Sequence, residues 1–261
     1  MRFVKKLIYG VLYLGILAAL GYWTYSSNLF AAPTCFDNTL NQAEEEADCG
    51  GPNCTPCAVK KLQPISASAK FFGLDGTTNA ILTFSNPNLN YGAQSFTYTL
   101  NFSNQAKQNI FSLTKLSFIY PAEAEKVVVE PNLRVNSREI FGNAEISVAN
   151  FNWIPAAELA EPQVQTRQVK TEISGATATI TGILANRESF GLSRVTIGAI
   201  VNQLLSDQSV KPARLDSARL AGASKTILQN LKPFEERAFK ITVPLKATLK
   251  LAQTETVLAT E

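Results

Sequence analysis

The residues best equipped for chemistry stand together near the start of the chain. Cys35, Cys49, Cys54 and Cys57 are all of its cysteines, and among them lie Asp37, Asn41, Glu44 and Asp48. Four cysteines in one short, Gly- and Pro-bearing stretch with few apolar residues read as two disulfides that replace a core. Three pairings are open. A four-thiolate zinc site is the competing reading, but it wants two C-x-x-C knuckles, and only Cys54 and Cys57 make one. The side-chain oxygens of Asp37, Asn41, Glu44 and Asp48, on a loop tied at both ends, suit Ca²⁺. The rival reading, a solvated acidic loop that keeps a disulfide knot soluble, ranks ahead of it. The spacing does not fit an EF-hand, and no cofactor is otherwise required.

Elsewhere the chemistry is thin. The 261 residues include no histidine. This removes Ser-His-Asp and Cys-His nucleophile pairs, imidazole metal ligands and imidazole proton shuttles. Nucleophile-elbow, phosphate-loop, dinucleotide and zinc-protease motifs are absent from the sequence. The carboxylate pairs Glu235-Glu236 and Asp37 with Asp48 sit beside a turn and in the cysteine segment, so neither suggests a catalytic cleft. A net charge of +3 gives no footprint for nucleic acid.

The elements that must carry these residues are strands. Residues 95–102 alternate, with Phe96, Tyr98, Leu100 and Phe102 on one face and Ser95, Thr97, Thr99 and Asn101 on the other, as in a half-buried antiparallel strand. Further β-like runs fall at 65–72, 77–85, 110–120, 126–130 and 143–153, separated by turn signals such as Asn86-Pro87-Asn88 and Tyr91-Gly92. After a Pro- and Gln-bearing bridge at 155–171, strands are expected at 176–185, 194–203, 224–229 and 237–243, with an edge strand in 245–258. Val195, Ile197, Ala199 and Val201 share one face, as do Phe239, Ile241 and Val243. Residues 205–220 read as a polar loop or hairpin extension. Many short strands without an amphipathic helix predict β-sandwiches. The amide-rich 86–92 loop reads as turn chemistry ahead of a ligand loop. Phe151, Trp153 and the Phe71-Phe72 pair read as packing ahead of a binding surface.

In front of all this lies a membrane signal. Arg2, Lys5 and Lys6 precede 30 residues (7–36) with no charge, and Tyr22, Trp23 and Tyr25 close the apolar stretch. Residues 7–24 as a helix reach about 27 Å, close to a hydrocarbon core. The flanking bases place the N-terminus in the cytoplasm and the body outside. A cleaved signal peptide is the rival, but Phe30 and Pro33 make a poor cleavage site at 30–33.

The pattern C-x-D-x-x-x-N-x-x-E-x-x-x-D-C-G-G-x-x-C-x-x-C is carried by Cys35, Asp37, Asn41, Glu44, Asp48, Cys49, Gly50, Gly51, Cys54 and Cys57. It resembles a small cysteine motif of secreted and surface bacterial proteins, with Asn38 where that motif usually has Gly. The stretch Asn86-Pro87-Asn88-Leu89-Asn90-Tyr91-Gly92-Ala93, followed by Phe96-Thr97-Tyr98, resembles a signature of uncharacterised membrane-anchored envelope proteins of candidate phyla radiation bacteria. Gly182-Ile183-Leu184-Ala185-Asn186 and Leu231-Lys232-Pro233-Phe234-Glu235-Glu236 are similar to their second module, and the 205–220 insertion departs from it. The resemblance implies an anchor, a D-C-G-G motif and tandem immunoglobulin-like modules, and it implies no activity.

The expected organisation is a cytoplasmic tail (1–6), a transmembrane anchor (7–25), a disulfide-linked motif (33–57) and two β-sandwiches (65–154 and 172–258). The expected location is the cell membrane, single-pass. The expected role is non-enzymatic binding or scaffolding outside the cytoplasm, through a protein partner or self-association of the sandwiches, with no nucleic acid. The alternative is a structural subunit of an envelope assembly such as a secretion or pilus machine.

Overall fold

The computed structural model describes residues 2–29, 35–41, 43–74, 76–135, 143–203, 220–246 and 252–260. The 30–33 stretch lies outside these residues, as does the 205–220 loop apart from Leu220. The protein is mainly β, with an apolar N-terminal helix and two disulfides. It divides into two compact units, Met1–Leu62 and Gln63–Glu261.

In the first unit, helix α1 spans Arg2–Leu29. Its Val4–Trp23 segment is long and apolar enough to cross a membrane, and none of it is buried in the protein. A one-turn helix, α2 (Cys57–Lys60), ends the cysteine segment.

The second unit holds twelve described strands: β1 Ser66–Leu74, β2 Thr77–Ser85, β3 Tyr91–Ser103, β4 Asn109–Ile119, β5 Lys126–Leu133, β6 Asn143–Pro155, β7 Val164–Ser174, β8 Thr177–Asn186, β9 Leu192–Gln203, β10 Leu220–Leu231, β11 Glu236–Pro244 and β12 Ala252–Thr260. They form four three-stranded antiparallel sheets, ordered β4-β3-β6, β1-β2-β5, β10-β9-β12 and β11-β8-β7. Adding six to each strand number in the first pair of sheets gives the second pair. The body is therefore one six-strand sandwich used twice, with the immunoglobulin-type split of A-B-E facing C′-C-F.

The strands fall close to the expected runs, and the largest departure is β7. It occupies the C-terminal half of the 155–171 bridge, so the second sandwich begins at Val164. Its sequence is polar on both sides and its residues are mostly exposed. Backbone pairing with β8 holds it rather than burial of an apolar face.

Three apolar layers hold the unit together. Between the first two sheets, Phe96, Tyr98, Leu100 and Phe102 meet Ala80, Leu82 and Phe84. Within the second sandwich, Val195, Ile197, Ala199 and Val201 of β9 meet Ile180, Phe239, Ile241 and Val243. The expected faces of β3, β9 and β11 are the buried ones. The third layer joins the sandwiches: Phe72, Ile81, Val127 and Val129 pack against Ile200, Leu220 and Ala223. The sheets thus stack in the order β4-β3-β6, β1-β2-β5, β10-β9-β12, β11-β8-β7, and the two inner sheets are covered on both faces. That double burial explains the unbroken apolar runs Ala80-Ile81-Leu82 and Ala199-Ile200-Val201.

The Phe71-Phe72 pair shows how the strand period serves both layers. Phe71 meets Phe102 edge-on at 5.1 Å inside the first sandwich, while Phe72 points the other way into the layer between sandwiches. Phe151 stacks between Phe96 and Trp153 (5.9 and 5.3 Å) against the same first core. These aromatics pack against the apolar layers of the body.

Candidate functional site

The cysteine segment closes as an interleaved knot, Cys35–Cys54 and Cys49–Cys57. No cysteine is free. Asn38 takes the left-handed backbone that lets it stand where Gly is usual (φ 56°). Gly51 has no substitute: an added Cβ would lie 2.3 Å from the Ala43 carbonyl oxygen.

The four candidate calcium ligands are engaged within this knot. Asp48 Oδ1 accepts from the amides of Asp37 and Asn38 (2.8 and 2.9 Å). Asp37 Oδ1 accepts from the Thr39 amide and its Oδ2 from Asn41 Nδ2 (2.9 and 3.0 Å). Glu44 Oε2 accepts from the Asn41 amide, and Lys60 lies 3.7 Å from Asp48. Asn41 Oδ1 has no protein partner. Among the described residues, the acid and sulfur groups close enough to share an ion are Cys35, Glu44 and Cys54, and Glu46, Cys49 and Cys57. Both sets consist largely of disulfide sulfur, which offers no thiolate to a metal. Asp37, Glu44 and Asp48 do not converge as one set.

The amide-rich loop is structural, and it occurs twice. Asn86 directly follows β2 and is almost fully buried. Its amide donates to the Glu123 carbonyl (2.9 Å), its Nδ2 donates to the carbonyls of Tyr91 and Tyr120 (2.8 and 2.9 Å), and its Oδ1 accepts from the Asn88 amide (3.0 Å). One hundred residues later, Asn186 ends β8 and does the same with Glu235, Phe190, Lys232 and Glu188. The opposing turns match too. Glu123 caps the Tyr120 amide and Glu235 the Lys232 amide, each turn with a left-handed residue between (Ala122, Phe234). Sequence reasoning missed this duplication, although Tyr120-Pro121-Ala122-Glu123 and Lys232-Pro233-Phe234-Glu235 carry it. Gly92 of the Tyr91-Gly92 signal is required sterically: an added Cβ would sit 2.7–2.8 Å from Leu159, Ile119 and Pro121.

The remaining carboxylate pair, Glu235-Glu236, is divided between surface contacts. Glu235 binds Arg237, while Glu236 lies near Arg167 and Arg187. The amide of Lys232, followed by the Arg237 side chain, holds the Glu235 carboxyl below its usual range.

The most concentrated polar chemistry lies where the sandwiches meet, and nothing in the sequence marked it. Glu130 of β5 is 4% exposed at its side chain. Its Oε1 accepts from Tyr98 Oη of β3 (2.8 Å) and Lys225 Nζ of β10 (2.9 Å), and its Oε2 accepts from Lys115 Nζ of β4. Burial pushes the Glu130 carboxyl up, but the bonds from Lys115 and Lys225 and the charge of Lys225 outweigh it, leaving the group below its ordinary value. Burial, reinforced by the adjacent carboxylate, drives the Tyr98 phenol far above its own. A cleft of about 310 Å³ opens here, lined by Tyr98, Lys115, Lys126, Glu130, Arg194 and Lys225. Lys126 is buried, with its ammonium 3.2 Å from the centre of the Phe118 ring.

No protein-family model matches the chain, and no curated protein matches it. Among solved structures it is similar to red sea bream transglutaminase, at 13% identity over 78% of this chain and a TM-score of 0.25. The chain spans 30% of that protein's length. A likeness at that score transfers neither fold nor activity.

Proposed function

We propose that this chain is a single-pass envelope protein, its N-terminus cytoplasmic and its body outside, that binds or scaffolds partners without chemistry of its own. The observation that carries the reading is Glu130. General acid–base work needs a group poised near the working pH. The carboxylate that lines the cleft is instead held ionised and filled with donors from both sandwiches, and its phenol partner is held neutral. The interior polar groups therefore join two sandwiches into one block, leaving loops and sheet edges for contact.

Location has separate support. Bases precede the apolar helix and aromatic residues follow it, as in an N-in anchor. Paired cysteines suit an oxidising compartment. The resemblance to anchored envelope proteins points the same way.

Photo-crosslinking in native membranes tests this, with the probe placed at the exposed Leu89, Leu116 and Phe234. A reproducible foreign protein at one of these positions is the expected result. Crosslinks only between copies of this chain would replace the reading with that of a structural assembly subunit.

A further inference from the structure

We propose that the cleft between the sandwiches is a binding site for a phosphoryl oxyanion, held jointly by both halves of the body. Three features argue for it. The first is charge: Lys115 of the first sandwich and Lys225 of the second share one carboxylate, Glu130, which leaves the cleft with an excess of positive charge. Low-dielectric walls focus such a field on an entering anion.

The second is donor capacity. Each ammonium has three hydrogens, and Glu130 takes one from Lys115 and one from Lys225. These side chains remain 42% and 24% exposed, so their other donors can turn to an oxyanion. Glu130 fixes the two ammonium groups side by side, which is positioning that a flexible lysine lacks on its own.

The third is shape. About 310 Å³ holds roughly ten waters. That is room for a phosphate with a small body. Lys115 comes from the first sandwich, and Lys225 and Arg194 come from the second. A bound anion would therefore bridge the halves across the same seam that Glu130 spans.

This inference deepens the binding reading above, yet it can fail alone. A foreign crosslink without any phosphate response sinks only the oxyanion site. A phosphate response without a partner sinks only the scaffold reading.

The experiment uses the full chain in phosphatidylcholine nanodiscs. Inorganic phosphate is titrated against sodium chloride at matched ionic strength, since exposed pairs respond to salt alone. The expected result is a saturable rise in melting temperature with phosphate only. Lys115→Gln and Lys225→Gln should each weaken it at least tenfold, while Lys240→Gln, the same charge change on an exposed strand position, should leave it intact. A calorimetric titration at low temperature reads the same affinities if either variant melts early. Nanodiscs containing phosphatidic acid separate the sources: a lysine-dependent shift with that lipid but not with free phosphate assigns the site to a lipid headgroup. The proposal is overturned if neither form acts, or if Lys240→Gln weakens binding as much as the cleft variants do.

Discussion

Replacing Asn86 with alanine should remove a large part of the body's stability, although the side chain is small. The substitution removes the partner of the buried Tyr120 carbonyl and of the part-buried Tyr91 carbonyl and Asn88 amide. At about 1–1.5 kcal/mol for each unpaired group, the loss is about 3–4.5 kcal/mol. A domain of this kind has only about 5–15 kcal/mol to lose. Asn86→Asp keeps the acceptor but removes both donors and sets an oxygen against two carbonyls. It should therefore be at least as damaging as alanine, and more so once the new carboxyl ionises. Because the corner is duplicated, Asn186→Ala should cost a similar amount. Asn90→Ala, an exposed side chain in the same loop, should cost less than about 0.5 kcal/mol. Urea unfolding of Gln63–Glu261 reads all four variants. Trp153, the sole tryptophan of that unit, reports the transition from the first core. A loss below about 1 kcal/mol for Asn86→Ala would refute the claim that these bonds, rather than loop conformation, fix the corner.

Other expectations follow from the same contacts. Ile200→Ala removes a fully buried side chain from the layer between sandwiches and should cost about 2–4 kcal/mol. Although the change is in the second sandwich, Trp153 in the first should report it within a single transition, and an unmoved Trp153 signal would contradict the fused block. Stability against pH should respond oppositely at two glutamates. Glu130 titrates below its ordinary 4.5 when folded, so its contribution is present above that pH and fades as pH falls through the folded value. Glu123 is raised above 4.5, chiefly by burial, so its contribution is greatest in acid and fades as pH rises. Glu130→Gln should flatten the acid limb of a melting curve taken from pH 3 to 7, Glu123→Gln should steepen it, and matching responses would defeat the assignment. Non-reducing peptide mapping should return Cys35 linked to Cys54 and Cys49 to Cys57. A Cys35–Cys49 peptide would overturn the knot, and reduction should leave the melting of Gln63–Glu261 unchanged.

Much of the fold could be read from residue order because burial on one face writes a period of two into the sequence, as in β3 and β11. Double burial writes a different text. The runs around Ile81 and Ile200 announce sheets covered on both sides, but not that they cover each other. β7 was illegible because it buries little and owes its place to pairing with β8. The site was less legible than the fold. Glu130 meets Lys225 across 95 positions, and no local pattern links two residues so far apart. The repeated corner is spelled out in short matching segments, but its halves are spaced differently in each copy. Asn86 and Asn186 are offset by one hundred residues, while Glu123 and Glu235 are offset by 112, with the 205–220 insertion lying between in the second copy. In the cysteine segment the residue types fixed the bridging, and only geometry chose among the pairings.

The shared apolar layer also has a consequence for how the chain is made. The first sandwich is complete once Pro155 has emerged, yet Phe72, Ile81, Val127 and Val129 then face solvent until β9 and β10 arrive. For that interval the nascent chain carries an adhesive flank on an otherwise finished domain, the condition in which tandem domains mispair with neighbours. A chain stopped near Leu159 should accordingly aggregate or be degraded, while the full body stays soluble.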